Sequence, residues 1–220
     1  MILEKFVVFE GIDGAGTSTQ INLLRERSQG KKIAFTAEPT ENSTGKFLRQ
    51  ILRGEQKVSP QTAAYLFAAD RAEHLWGAGG LVDQTKSGLT VVSDRYLFSN
   101  LAYQGVTCGE DLPKLLNSPF PLPQLLFFFD ISPQKSLERV EKRGEAKEIY
   151  ENQKFLEDTA ARYRSIVDQY KKLADSADGE NRPQGQKGAA KMKIVELDAT
   201  LPKEKISDLI WNEILPIINL

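Results

Sequence analysis

The chain has 220 residues, 40% of them hydrophobic and 27% charged, with a net charge of −1. That balance predicts one soluble domain, 1–220, with a well-buried core. A near-neutral charge argues against a nucleic-acid polymer or an anionic membrane surface as partner, and no apolar run approaches the ~20 residues of a membrane helix. The single cysteine, Cys108, excludes an internal disulfide and fits a reducing cytoplasm. A first strand that starts without a basic-then-apolar leader fits the same location.

In chain order, Lys5 to Glu10 is a near-continuous apolar run, the mark of a strand buried on both faces of a parallel sheet. A glycine-rich turn, Gly11 to Gly16, leads into a helix over about Ser18 to Gln29, with Gly30 as its stop. Lys32 to Thr36 predicts a second strand, and Gly45 to Arg53 a second helix. Ser59-Pro60 is an N-cap followed by proline at the first helical position, so a helix runs from there to about Trp76. A shorter helix spans Leu81 to Lys86, and Leu89 to Ser93 is a strand ending on Asp94-Arg95-Tyr96. Ser99 to Gln104 predicts a short helical turn, and 105–124 a loop with one short helix near Leu112 to Leu116. Leu125 to Phe129 is a strand, and Ser132-Pro133 opens a helix to about Arg143. Asn152 to Leu173 has apolar residues at three-to-four spacing and predicts a long amphipathic helix. Residues 175–191 form a polar, glycine-rich loop. A last strand, Lys193 to Leu197, and a helix from near Pro202 complete an α/β fold with a five-stranded parallel sheet flanked by helices.

Four groups of residues carry chemistry. The strand–glycine–helix layout suits a phosphate: glycines turn backbone N–H groups into one concavity, and the helix N-terminus adds partial positive charge. Gly11, Gly16 and Ser18 fit the pattern G-x-x-x-x-G-K-[ST], with Ser18 as a Mg²⁺ ligand, but Thr17 stands where lysine is expected. The loss of one charge-assisted contact costs about 1.5–3 kcal/mol. Asp94, at the end of an apolar strand, suits the Mg²⁺ shell, and Arg95 beside it a phosphate; a local ion pair is the alternative reading. Phe67 and Arg71, four apart on one helix, suit stacking on and hydrogen bonding to a planar base. From spacing alone the plainer reading, Phe67 as core and Arg71 as surface, is favoured. Arg139, Arg143 and Lys147 recur every four residues, either as a solvated face or as a mobile basic segment that closes over phosphates and replaces the missing lysine charge. His74 and Cys108 have no catalytic context, and a structural role suits Asp130, which precedes a helix start.

The segments FEGIDGAGTSTQ, Glu38-Pro39, LFAADRAEHL, SDRYLFSNLAYQG, FFFDISP and LDAT resemble the thymidylate kinases (dTMP kinases) of the P-loop nucleoside monophosphate kinase group, over essentially the whole length. The resemblance implies a three-layer P-loop NTPase fold, a mobile lid at about 139–151, a cytoplasmic homodimer with helix 60–76 in its interface, and transfer of the ATP γ-phosphoryl group to dTMP. It implies a donor loop of Gly11, Gly14, Ala15, Gly16, Thr17, Ser18 and Thr19, with Mg²⁺ on Ser18 and Asp94. Asp13 is similar to an acidic residue near the substrate 3′-hydroxyl and metal, Phe67 to the residue that stacks on thymine, and Arg71 to one that hydrogen-bonds it. Arg95 resembles the arginine that grips the dTMP phosphate. Glu38, Asn100, Tyr103 and Gln104 match substrate-side positions, Tyr103 disfavouring a ribose 2′-hydroxyl. Arg143, with Arg139, resembles the lid residues that reach the transferred phosphoryl group. Gly14 and a basic lid look like the subtype usual in bacteria. Thr17 and Ala37, where many relatives carry lysine and arginine, depart from the pattern. Two other functions fit the same residues: a kinase of another nucleotide, for example dUMP or a deoxynucleoside, and a nucleotide-binding protein whose turnover went with the lysine.

Overall fold

The computed structural model describes residues 1–143, 152–175 and 192–219. Among them, five strands form one sheet, β1 (Ile2–Glu10), β2 (Ile33–Ala37), β3 (Thr90–Asp94), β4 (Leu122–Asp130) and β5 (Lys193–Asp198), in the order β2-β3-β1-β4-β5. Every pairing is parallel. The apolar runs are explained by this placement: β1 lies at the centre, and Phe6, Val7, Val8 and Phe9 have no exposure at all. Val7 sits opposite Val92 on one side and Leu125 on the other, so both faces of the strand need apolar side chains to meet the covering helices.

The helices are α1 (Thr17–Arg27), α2 (Ser43–Leu52), α3 (Pro60–Trp76), α4 (Leu81–Lys86), α5 (Leu97–Cys108), α6 (Asp111–Asn117), α7 (Pro133–Arg143), α8 (Gln153–Asp175) and α9 (Lys203–Ile218). The cap expected at Ser59 is made: its side chain accepts from the Thr62 N–H, with Pro60 in the first turn. Several ends move by one to three residues. The largest correction is α5, expected as a short turn over Ser99 to Gln104 and found as twelve residues. Its composition, with serine, asparagine, glycine and threonine, carries little helix propensity. Tertiary packing overrides that: Leu97, Phe98 and Asn100 to Gly105 are all buried, and α5 lies between α3 and α8.

Strand register positions the site. Phe9 is level with Asp94, and the Arg95 N–H donates to the Phe9 carbonyl at 2.9 Å. The glycine loop after β1 and the turn after β3 are thereby held side by side at the carboxyl edge of the sheet, where open α/β sheets bind ligands. The expected lid falls partly, and the polar loop 175–191 almost wholly, outside the described residues.

Candidate active site

The loop over Gly11 to Gly16 ends in two left-handed residues, Gly14 (φ 81°) and Gly16 (φ 98°). A side chain at Gly14 would also meet the Ser136 carbonyl oxygen at 2.6 Å, so both conformation and space demand glycine there. Ser136, on α7, donates its hydroxyl to the Asp13 carbonyl and pins the loop. Gly16 caps α1, whose first turn holds Thr17, Ser18 and Thr19 with their backbone N–H groups free to face an anion. Ala15 is buried and closes the turn by donating to the Ile12 carbonyl at 3.0 Å.

Ser18 and Asp94 meet as expected. The serine hydroxyl donates to Asp94 Oδ2 at 2.9 Å, while Asp94 Oδ1 is buried with no protein partner. An unpartnered carboxylate oxygen beside a hydroxyl, at the mouth of a phosphate loop, is a hard oxygen donor pair. It fits Mg²⁺, which takes one or two protein oxygens and keeps water and substrate oxygens for the rest.

Arg95 is the residue expected to take the acceptor phosphate. It holds φ 71°, a left-handed conformation rare for a residue with a side chain, and this turns its guanidinium back over the loop. There it donates to the Gly11 carbonyl at 2.8 Å, Ser99 Oγ at 3.1 Å and Asp13 Oδ1 at 2.5 Å. The local ion pair with Asp94 is not what forms; the carboxylate partner is Asp13. The other oxygen of Asp13 accepts from the Tyr103 hydroxyl at 2.9 Å. Burial first, and then the Asp13 charge, hold the Tyr103 phenol well above its usual pKa range, so it stays a hydrogen donor.

Asp13, Arg95 and Tyr103 open onto a cavity of about 240 Å³ whose walls include Phe67, Arg71, Asn100, Gln104 and Glu38. All eight substrate-side residues expected from the sequence are thus brought together. Arg71 is buried, not surface, with 1% exposure, and pairs with Glu38 at 2.7 Å. Glu38 also holds His74 at 3.0 Å, and His74 reaches Thr36 at 2.7 Å, which gives the single histidine a structural place. Asp130 pairs with Arg164 at 2.8 Å, the structural role expected of it. Arg139 places its guanidinium on the donor loop, donating to the Gly14 and Ala15 carbonyls at 3.3 and 3.5 Å and to Ala199 at 2.8 Å. The side chain of Arg143 and all of Lys147 lie outside the described residues.

Two residues that shape the site's surroundings escaped the sequence. Arg49 on α2 lines the cavity beside Arg53 and donates to the Pro39 and Thr40 carbonyls, both at 2.5 Å. The signal was present: Arg49 and Arg53 are four apart on one helix that follows the Glu38-Pro39 loop. Arg49 also borders a second cavity of about 580 Å³ that contains Ala37, Ser18 and Asp94, so it stands on the side from which the arginine expected at position 37 is missing.

Glu10 is the other. It is fully buried at the end of β1. Oε1 accepts from the Tyr96 and Ser99 N–H groups at 2.8 and 3.2 Å, and Oε2 from the Ser99 and Tyr163 hydroxyls at 2.6 and 2.8 Å. It therefore caps α5, which has no side-chain cap of its own. Burial raises its pKa to about 7, opposed by the charge of Arg95 and by those hydrogen bonds. The folded protein then holds a proton that the unfolded chain has released above its ordinary carboxylate pKa near 4.5. Stability from this group is fully present below about pH 4.5 and is lost as pH rises towards about 7, by roughly 3 kcal/mol in total. Urea unfolding of the parent and of Glu10→Gln from pH 4.5 to 8 should show a gap between them that changes by that amount and levels off above pH 7.5. Parallel pH profiles would show that Glu10 stays ionised in the fold.

A glycine phosphate loop, a metal-suited Ser–Asp pair and an arginine-lined cavity beside them define a P-loop nucleotide kinase. The thymidylate kinase family profile matches residues 9–183. A Treponema pallidum protein is 40% identical over 199 residues, 90% of this chain and 88% of its own. One from Methanococcus maripaludis is 35% identical over 215 residues, 97% and 94%; both carry the name thymidylate kinase provisionally. The thymidylate kinase of Leptospira interrogans is 40% identical over 170 residues, 74% and 81%. The chain belongs to the thymidylate kinase family.

Proposed function

We propose that the protein transfers the γ-phosphoryl group of ATP to dTMP, giving dTDP and ADP, as a step in dTTP synthesis. The observation that carries the reading is the Arg95–Asp13–Tyr103 cluster at the mouth of a cavity walled by Phe67, Arg71, Asn100 and Gln104, directly against the phosphate loop. Phe67 stacks on the thymine, Arg71 donates to it, and Tyr103 fills the space a ribose 2′-hydroxyl would need. Arg95 exchanges part of its contact with Asp13 for the acceptor phosphate and holds it in line with the donor. An oxygen of that phosphate, already anionic, attacks the γ-phosphorus while the bond to the bridging oxygen of ADP breaks. No general base is required, and catalysis is positioning plus charge neutralisation. Ser18 and Asp94 would hold Mg²⁺, which supplies charge neutralisation at the donor phosphates. Arg139 adds positive charge beside the donor loop, and Arg143 is the lid residue assigned to the transferred phosphoryl group. The same reading includes a cytoplasmic homodimer. The exposed Phe47, Tyr65 and Trp76 on α2 and α3, 39–56% accessible, support a contact there, which light scattering checks as a mass of two chains.

The test is coupled ADP release with Mg-ATP and each nucleoside monophosphate in turn. Turnover should be fastest with dTMP and should stop when EDTA removes the metal. Faster turnover of another nucleotide would replace the substrate, and binding of ATP and dTMP without turnover would leave a nucleotide-binding protein.

A further inference from the structure

Through the wall of the acceptor cavity and behind it runs a buried chain of polar side chains with a fixed direction. Arg71 Nη2 donates to Glu38 Oε2 at 2.7 Å, and its Nη1 to Asn117 Oδ1 at 2.5 Å. Asn117 Nδ2 donates to Asn100 Oδ1 at 2.5 Å, and Asn100 Nδ2 to Gln104 Oε1 at 2.9 Å. All five residues are 6% exposed or less. Four of them line the cavity; Asn117, at the end of α6, does not.

The direction follows from donor chemistry. A guanidinium only donates, so Asn117 must turn its oxygen to Arg71. The Pro113 carbonyl, 2.7 Å from Asn117 Nδ2, independently demands the amide nitrogen on the other side. Asn100 must then offer its oxygen to Asn117 and its nitrogen to Gln104, whose oxygen faces back. One residue outside the cavity thus sets which ends of two amides inside it are donors and which are acceptors.

We propose that Asn117 is a specificity-determining positioning residue that, by orienting Arg71, Asn100 and Gln104, sets the cavity to accept a pyrimidine with a carbonyl at position 4 and to reject one with an amino group. The inference rests on the base-binding reading of that cavity. A 4-carbonyl pyrimidine presents acceptor, donor, acceptor along its edge. Its 4-amino counterpart presents donor, acceptor, acceptor, so it meets Arg71 donor to donor, and unpaired groups in a dry site give strong discrimination.

Two variants separate this from a packing role. In Asn117→Asp the carboxylate still accepts from Arg71 but has no proton for Asn100. Asn100 then turns its nitrogen to the aspartate, Gln104 turns in response, and the polarity of both amides inverts. Asn117→Ser removes most of the relay without inverting it. The measurement is kcat/KM for dTMP and 5-methyl-dCMP, which share the methyl group and differ in the 4-substituent and N3, with thermal melts as a folding control. The parent should prefer dTMP by about a hundredfold or more, and Asn117→Asp should cut the ratio at least about tenfold, with Asn117→Ser between them. Equal losses on both substrates would reduce Asn117 to a structural residue and overturn the proposal. If Asn117→Asp does not fold, an unchanged ratio in Asn117→Ser overturns it equally. A parent that does not turn over dTMP would instead sink the kinase reading itself.

Discussion

Arg95→Met should lower kcat/KM for dTMP by roughly a hundred- to a thousandfold, the equivalent of about 3–4 kcal/mol for a charge-paired, partly buried contact. The side chain keeps its length, so packing changes little; what goes is the fork. That fork is held before substrate arrives, by the Gly11 carbonyl, Ser99 and Asp13, and no conformational search is left for the acceptor phosphate to fund. The backbone points the same way. A φ of 71° at a non-glycine residue costs about 1 kcal/mol or more, and the return is a guanidinium aimed across the donor loop from a strand end. Asp13 is 24% exposed at its side chain, so water can solvate it once the arginine is gone, and the stability loss should stay near 1–2 kcal/mol. Steady-state kinetics and dTMP titration calorimetry check this. The penalty should fall on dTMP binding and turnover together, while KM for ATP moves less than about threefold. Arg95→Lys should recover only part, because an ammonium lacks the planar fork. A kcat/KM within threefold of the parent would remove Arg95 from the acceptor grip.

What could be read in advance was what local pattern encodes. The run Phe6 to Phe9 announced a central parallel strand because burial on both faces removes alternation. Ser59-Pro60 announced α3 because capping is decided within four residues. Phe67 and Arg71 share a helix face by spacing, yet only their shared place in the cavity wall, with Phe67 half-buried and Arg71 buried, separates a base site from ordinary core and surface. What escaped depends on pairs far apart in sequence. Glu10 caps a helix whose N-cap, Tyr96, lies 86 residues later, and from the sequence it is the polar end of an apolar strand. Asn117 reads as one residue of a proline-bounded loop, and its value lies in meeting Arg71 and Asn100 across three helices. For Arg95 the sequence offered a phosphate role or an ion pair with Asp94, and the carboxylate it meets is Asp13, reached through the left-handed turn, which adjacency in sequence cannot reveal. Even the underestimated α5 follows this rule, since its stability comes from a distant carboxylate and from neighbours on both sides rather than from its own residues.

Arg139→Ala should lower kcat by roughly ten- to a hundredfold, and Thr17→Lys in the same chain should restore most of it. The donor loop has threonine where the pattern has lysine, and Arg139 is a described cation that touches the helix-side end of that loop, at the Gly14 and Ala15 carbonyls, whereas Arg95 holds its other end at Gly11 and Asp13. The Arg139 guanidinium lies 3.9 Å from where a side chain on Gly16 would begin. A charge-assisted contact in such a place contributes about 1.5–3 kcal/mol, which in a barrier is roughly ten- to a hundredfold in rate. Arg139 also ties the loop to the Ala199 carbonyl at 2.8 Å, so its removal loosens an anchor as well as deleting a charge. The four-cornered comparison of parent, each single variant and the pair separates the two effects. A lysine at 17 can replace charge but does not restore the two-ended guanidinium tie between the loop and the Ala199 carbonyl, so the rate it restores measures the electrostatic share and the melting temperature it leaves low measures the anchoring share. In the parent background Thr17→Lys should raise kcat less than about threefold, because the position it would fill is already compensated. A large gain there, with Arg139→Ala leaving kcat unchanged, would mean that this chain runs without a substitute for the lysine and that Arg139 serves only to hold the loop in place.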